Sequence, residues 1–111
     1  MSTEHPIAIM MMNESLNTEL NADEAVFWVN QSLKSANLAQ FKDLKCQVFR
    51  GCWNRDTYQV IAIQNHRDHD YIREVGAELL QQLSVLLGER VTKQNLRTIV
   101  DKVRAEVLVS S

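Results

Sequence analysis

The scarcity of residues that interrupt regular structure is the feature that most restricts how this chain can fold. The sequence contains one proline, Pro6, and three glycines, Gly51, Gly76 and Gly88. A fold built from many short strands needs frequent turns, and turns are rich in glycine and proline. The sequence therefore disfavours an all-β fold.

Length and composition indicate one globular domain. The 111 residues are enough for one hydrophobic core but not for two. Hydrophobic residues make up 45% of the chain and charged residues 23%, which is typical of a folded protein rather than a disordered one. We expect a flexible tail over residues 1–6 and a single domain over residues 7–111.

The net charge and the N-terminal sequence indicate which partners and which cell compartment to expect. The net charge of −2 gives no general attraction to phosphate backbones or anionic lipids, so nucleic acid is disfavoured but left open. Cys46 and Cys52 are too few for a disulfide framework. The first residues lack a basic n-region, and the apolar run Ile7–Met12 is too short to span a bilayer. We expect a cytoplasmic protein without a membrane segment.

Three segments carry apolar residues at helical spacing. The first begins at Asn21 or Asp23 and runs to about Ala36. The second covers Tyr71 to about Leu87, and the third follows Thr92. The expected buried stripes are Ala25, Val26, Val29, Leu33 and Ala36; Ile72, Val75, Leu79, Leu83 and Leu86; and Leu96, Ile99, Val100, Val103 and Val107. Asp68 or Asp70 is expected to cap the second helix, and Gly88 to end it.

Two further segments, Leu44–Arg50 and Thr57–Gln64, read as strands, with a turn over residues 51–56. The register that keeps apolar side chains on one face pairs Leu44 with Ile63, Cys46 with Ile61 and Val48 with Gln59. The segment Ile7–Met12 adds either a third strand or the start of a helix. The sequence thus predicts a two-layer α+β fold in the order α-β-β-α-α, with a small antiparallel sheet packed on helices.

The other face of this hairpin is the predicted contact surface. Phe49 and Tyr58 face each other near a turn that carries Trp53, Arg50 and Arg55. Aromatic side chains beside arginines are typical of protein–protein hot spots, and they also suit base stacking. The alternative is that the N-terminal apolar segment or the last helix covers this face.

No catalytic or metal-binding constellation is recognisable. His66 and His69 lie near Asp68 and Asp70, but a full ligand set at a known spacing is missing. Cys52 and His66 stand at opposite ends of the predicted hairpin, too far apart to form a nucleophile and its base. We therefore predict a protein that is not an enzyme and has no metal and no other cofactor.

These features favour a small protein–protein interaction module, acting as a regulator or adaptor. A two-stranded sheet leaves unpaired edges, and a second copy of the chain would complete them, so we predict a homodimer. The alternative is an RNA- or single-strand-binding domain that uses the sheet face.

Overall fold

The computed structural model describes residues 20–110, with side chains to residue 108, and this part of the chain contains helices and no strand. The helices are α1 (Ala22–Ser35), α2 (Asp43–Trp53), α3 (Tyr58–Gln64), α4 (His69–Leu87) and α5 (Leu96–Ser110). The tail predicted over residues 1–6 and the segment Ile7–Met12 lie outside the described residues. None of the described helices is long and apolar enough to cross a membrane.

The sequence dictates where α1 begins and which face it buries. Asn21 accepts a hydrogen bond from the backbone of Glu24 at 2.8 Å, and the Glu24 carboxylate accepts one from the backbone of Asn21 at 2.9 Å. This reciprocal pair satisfies two backbone donors that the helix cannot bond itself. Residues of the predicted stripe, Ala25, Val26, Val29 and Leu33, are buried. The prediction of this first helix is confirmed.

The predicted hairpin is wrong, and with it the α+β fold class. Residues of the first predicted strand lie in α2, and those of the second lie in α3. The pairings of Leu44 with Ile63, Cys46 with Ile61 and Val48 with Gln59 therefore do not exist. The incomplete sheet was the reason to predict a homodimer, and that reason disappears with the sheet.

The apolar pattern of α2 fits a helix once residues beyond Arg50 are included. Val48, Phe49, Cys52 and Trp53 are all buried, and their spacing of one, three and one places them on one helical face. The alternation of apolar and polar residues from Leu44 to Val48 is part of this longer helical pattern. Gly51, which the turn prediction relied on, lies inside the helix.

Two glycines allow α3 to pack closely against both neighbouring helices. A Cβ atom on Gly51 would collide with the side chain of Ile61. A Cβ atom on Gly76 would lie 2.5 Å from the ring of Tyr58. Thr57 caps α3 by accepting a hydrogen bond from the backbone of Val60 at 3.2 Å. Packing against α2 and α4 thus determines the conformation of this short, β-branched segment, overriding its strand propensity.

The two C-terminal helices form where the sequence predicts them. Asp68 caps α4, and Gly88 ends it in the left-handed conformation with a φ of 74°. The Thr92 hydroxyl accepts a hydrogen bond from the backbone of Asn95 at 3.2 Å, just before α5. Leu96, Ile99 and Val100 are buried as expected, whereas Val107 near the end of α5 is exposed.

Trp53 lies at the centre of the core and connects three parts of the fold. Its ring is fully buried and stacks on Phe49, with ring centroids 5.9 Å apart. Its indole N–H donates to the carbonyl of Leu20 at 2.7 Å. Its own carbonyl accepts from Arg97 of α5 at 2.7 Å, and the Arg97 guanidinium lies 5.4 Å from the indole centroid. The end of α2 is therefore bonded to the chain before α1 and to α5.

The side chain of Asn30 holds the loop between α1 and α2. Its Oδ1 accepts a hydrogen bond from the backbone of Phe41 at 2.7 Å, and its Nδ2 donates to the Phe41 carbonyl at 3.3 Å. Phe41 is buried and its ring lies 6.3 Å from that of Phe49. This pair of bonds satisfies the backbone at the point where the loop enters the core.

We expect Asn30→Ala to lower the free energy of unfolding by about 1–3 kcal/mol, because the partly buried backbone groups of Phe41 lose their partner. Chemical denaturation monitored by circular dichroism measures the change. The matched control is Gln31→Ala, at an exposed position of the same helix, which should change the free energy by less than about 0.5 kcal/mol. Equal effects of the two substitutions would contradict the assigned bonds.

Gly76→Ala should destabilise the domain by about 1–3 kcal/mol, because the added methyl group overlaps the Tyr58 ring. At an open helical position the same change would stabilise by roughly 1 kcal/mol through helix propensity. In a Tyr58→Ala background the overlap is removed, so the sign should reverse. Denaturation of the four proteins in this cycle tests the contact, and a stabilising Gly76→Ala in the otherwise unchanged chain would refute it.

Candidate functional site

A short turn over residues 65–68 connects α3 to α4, and its backbone is held by hydrogen bonds. Asn65 donates from its side-chain amide to the carbonyl of Ile61 at 2.8 Å. Arg67 donates its backbone N–H to another α3 carbonyl at 2.9 Å. His66 adopts a φ of 55°, the left-handed conformation that reverses the chain after a helix. The turn is therefore a defined structure rather than a loose linker.

Asp68 determines how α4 begins. Its carboxylate accepts hydrogen bonds from the backbone N–H groups of Asp70 at 3.0 Å and Tyr71 at 3.3 Å. The negative charge also lies at the positive end of the helix dipole. Together, α3, the turn and α4 are two consecutive helices joined by a short turn, the arrangement called a helix-turn-helix.

The exposed residues of this unit form the candidate site, which we call the helix-turn-helix surface. It consists of the side chains of Val60, Ile63, His66, Arg67, Asp70, Tyr71, Arg73 and Glu74. Three of its members are large and apolar: Ile63 is 66% exposed, and Val60 and Tyr71 are also exposed. Val60 and Ile63 are three residues apart and share one side of α3. Large apolar side chains exposed on neighbouring elements can mark an interaction site.

Carboxylates outnumber arginines in the stretch of sequence that forms the turn and the first three turns of α4. From the turn through the third turn of α4, the cations are Arg67 and Arg73. The carboxylates over the same stretch are Asp68, Asp70, Glu74 and Glu78. The local field is therefore negative when the histidines are neutral, and it favours a partner that presents positive charge.

Cys52, Tyr58 and Lys93 form a partly buried polar group between α2, α3 and the turn before α5. Burial raises the pKa of the Cys52 thiol to about 11. Burial and the neighbouring thiol raise the pKa of Tyr58 to about 12. Lys93 lies 4.7 Å from the Tyr58 ring centroid and donates to the carbonyl of Asp56 at 2.6 Å. At neutral pH both Cys52 and Tyr58 are protonated, so this group packs the core and Cys52 is not a thiolate nucleophile.

The His66–Asp70 stretch contains two histidines and two aspartates, residue types that can ligate a metal ion. His66 and His69 are both exposed. Among the side chains that the structure describes, no three His, Cys, Asp or Glu residues lie close enough to hold a metal ion together. The stretch serves instead as the connection and cap of α4.

The structure does not bring the predicted contact residues together on one surface. Phe49 and Trp53 are 0% exposed and lie in the core. Arg50 binds Asp23 of α1, with 2.7 Å between Nε and Oδ1. Arg55 is exposed in the turn after α2, and Tyr58 is partly buried. The partner-binding role of these residues stays a prediction, but the exposed sheet face on which it was based does not exist.

Sequence reasoning missed the apolar residues that the structure exposes. Val60 and Ile63 were assigned to a strand, although their spacing of three fits one side of a helix. Tyr71 was treated only as the first residue of a helix. The sequence does contain a signal for this unit. Asp68 is a helix-capping residue in a polar stretch, with Val60 and Ile63 before that stretch and Tyr71 after it.

Searches of curated proteins and of solved structures returned no significant match to this chain. A family of sequences does match, and it agrees with the architecture described above. Residues 20–103 match the family described as "vWA-MoxR associated protein N-terminal HTH". Because the match spans more than half of the 111 residues, this chain belongs to that family of helix-turn-helix domains.

Proposed function

We propose that this domain is a non-catalytic protein-interaction module of a regulatory protein, and that its helix-turn-helix surface contacts the partner. The observation that carries the proposal is the exposure of Ile63, Val60 and Tyr71. Between residues 65 and 79, four carboxylates accompany two arginines. The bonded turn holds the two contributing helices in a fixed arrangement, which lowers the entropy lost on binding.

Burial of these apolar side chains gives a partner a favourable energy. Covering an exposed Ile side chain stabilises a complex by roughly 1.5–3 kcal/mol when burial is complete. Tyr71 adds a large ring and a hydroxyl group, a combination that is enriched at protein interfaces. The surrounding carboxylates then act mainly on the rate of encounter and on the choice of partner.

The same charges argue against a duplex DNA partner for this surface. Affinity for DNA comes largely from Lys and Arg contacts to phosphates. In the described stretch over residues 65–79 the cations are Arg67 and Arg73, and Asp70 and Glu74 lie near them in the sequence. A negatively charged second helix in the major groove would be repelled by the backbone on both sides.

The family description suggests which proteins to test as partners. It concerns proteins associated with vWA and MoxR. We infer that this domain binds a vWA or a MoxR protein, or a second component of the same system. A partner that suits the helix-turn-helix surface would present apolar side chains bordered by Lys or Arg.

DNA binding is the second candidate, and the family's helix-turn-helix architecture is the observation that favours it. Under that alternative, the uncharged helix α3 would approach the duplex. Gln59 and Gln64 are exposed on α3, and Arg67 follows it in the turn. Glutamine is a residue that reads adenine in the major groove.

Ile63→Asp is expected to weaken binding to a vWA or MoxR protein of the same organism by about tenfold or more, which corresponds to about 1.4 kcal/mol. The substitution removes apolar contact area and adds a negative charge to the surface. Surface plasmon resonance with the immobilised full chain gives the dissociation constants. The control is Gln94→Asp, which adds the same charge at an exposed position before α5 and should leave binding unchanged.

DNA-binding measurements on the unmodified chain and its variants test the second candidate function. In fluorescence anisotropy at low salt, the unmodified chain should not bind a mixed-sequence duplex. Binding that falls steeply with added salt and is weakened by Arg67→Ala would contradict the proposal and support the second candidate. Unchanged helical circular dichroism in each variant confirms that folding is intact.

A further inference from the structure

A second apolar feature lies along α4, further from the turn. Leu33 at the end of α1, and Leu38 and Ala39 in the loop that follows, form one side of a groove. Val85 forms part of the other side and is 71% exposed. Leu38 is also exposed, so the groove presents branched apolar side chains to solvent.

One exposed side of α4 connects this groove to the helix-turn-helix surface. Tyr71, Glu74, Glu78, Gln81 and Val85 follow each other at spacings of three and four, so they lie on one helical face. All five are exposed. At 1.5 Å per residue, the face extends for roughly 21 Å, which is about four helical turns. It is apolar at both ends and acidic in the middle.

We propose that a helix of the partner docks lengthwise along this face of α4, with apolar residues at its two ends and Lys or Arg in its middle. One end lies against Tyr71 and the other enters the groove beside Val85. This inference rests on the proposed function, since it specifies the chemistry of the partner that the helix-turn-helix surface receives. An amphipathic helix laid into a groove is a recurrent mode of recognition.

The charges on this face of α4 favour Lys or Arg in the middle of the partner helix. Both charged residues of the face, Glu74 and Glu78, are acidic. Lys45 of α2 lies beside it, with Nζ 2.7 Å from the Glu78 carboxylate and 2.8 Å from Oε1 of Gln82. Lys45 therefore holds Glu78 in place and neutralises part of its charge. Glu74 then provides the stronger attraction for a cation on the partner.

A small-molecule ligand fits the groove less well than a helix does. The cavity volume of about 440 Å³ lies within the range of small-molecule sites. Such sites, however, enclose most of their ligand and aim several polar groups at it. This groove is open along one side, and its lining combines apolar side chains with the polar edge formed by Glu78, Gln81 and Gln82.

Two synthetic helical peptides test the proposal directly. Each peptide carries two leucines at the same sequence separation as Tyr71 and Val85. One peptide has arginines between its leucines, and the other has glutamates there. Titrated into the ¹⁵N-labelled full chain, the arginine peptide should shift the amide signals of Leu38, Glu74 and Val85, and Val85→Asp should weaken its binding about tenfold or more. Equal binding of both peptides, or binding of neither, would overturn the proposal.

Comparing variants with the vWA or MoxR partner separates this inference from the proposed function. We expect Val85→Asp and Ile63→Asp each to weaken the complex, and Gln94→Asp to leave it unchanged. Loss of binding with Ile63→Asp alone would refute docking along α4 but leave the proposed function intact. A dimer in sedimentation velocity that dissociates in Val85→Asp would also overturn the inference, because the face would then belong to a second copy of the chain.

Discussion

The seating of α3 between α2 and α4 is the contact on which the rest of the structure depends. Ile61 packs where Gly51 has no side chain, and the Tyr58 ring packs against Gly76. With these inner residues held, the opposite side of a seven-residue helix must face solvent, and that side carries Ile63. A helix this short has little stability of its own, so its position is set by its neighbours. The exposed apolar side chains are thus a consequence of the same packing that completes the core.

Two aromatic residues that the sequence predicts at a contact surface lie in the core of the structure. Phe49 and Trp53 were expected at a contact surface but fill the centre of the domain, where their rings stack. Trp53 also satisfies its indole N–H and its carbonyl through Leu20 and Arg97. A large aromatic side chain with a bonded polar group is well suited to a core that joins several helices. The apolar side chains exposed near the turn over residues 65–68 consequently belong to α3 and α4.

The longest helices could be predicted from sequence because their signals are local. The capping box at Asn21, the cap at Asp68 and the stop at Gly88 each depend on a few adjacent residues. The helices α2 and α3 could not, because their 11 and seven residues span few turns and contain β-branched and aromatic residues typical of strands. The predicted contact surface lost its structural basis with them, since the side of a segment that faces solvent depends on its secondary structure. The packing that holds α3 in place joins Ile61 to Gly51 and Tyr58 to Gly76. A local sequence pattern does not reveal these contacts.

The fold requires residues 43–64 to form two helices joined by a turn, because which side of α3 faces solvent follows from its helical conformation. Backbone NMR chemical shifts of the full chain test that requirement most directly. We predict downfield Cα shifts over residues 43–53 and 58–64, interrupted between them, and a nuclear Overhauser contact between the Gly51 Hα protons and an Ile61 methyl group. Upfield Cα and downfield Cβ shifts over these segments, as in strands, would contradict the fold and the surface derived from it.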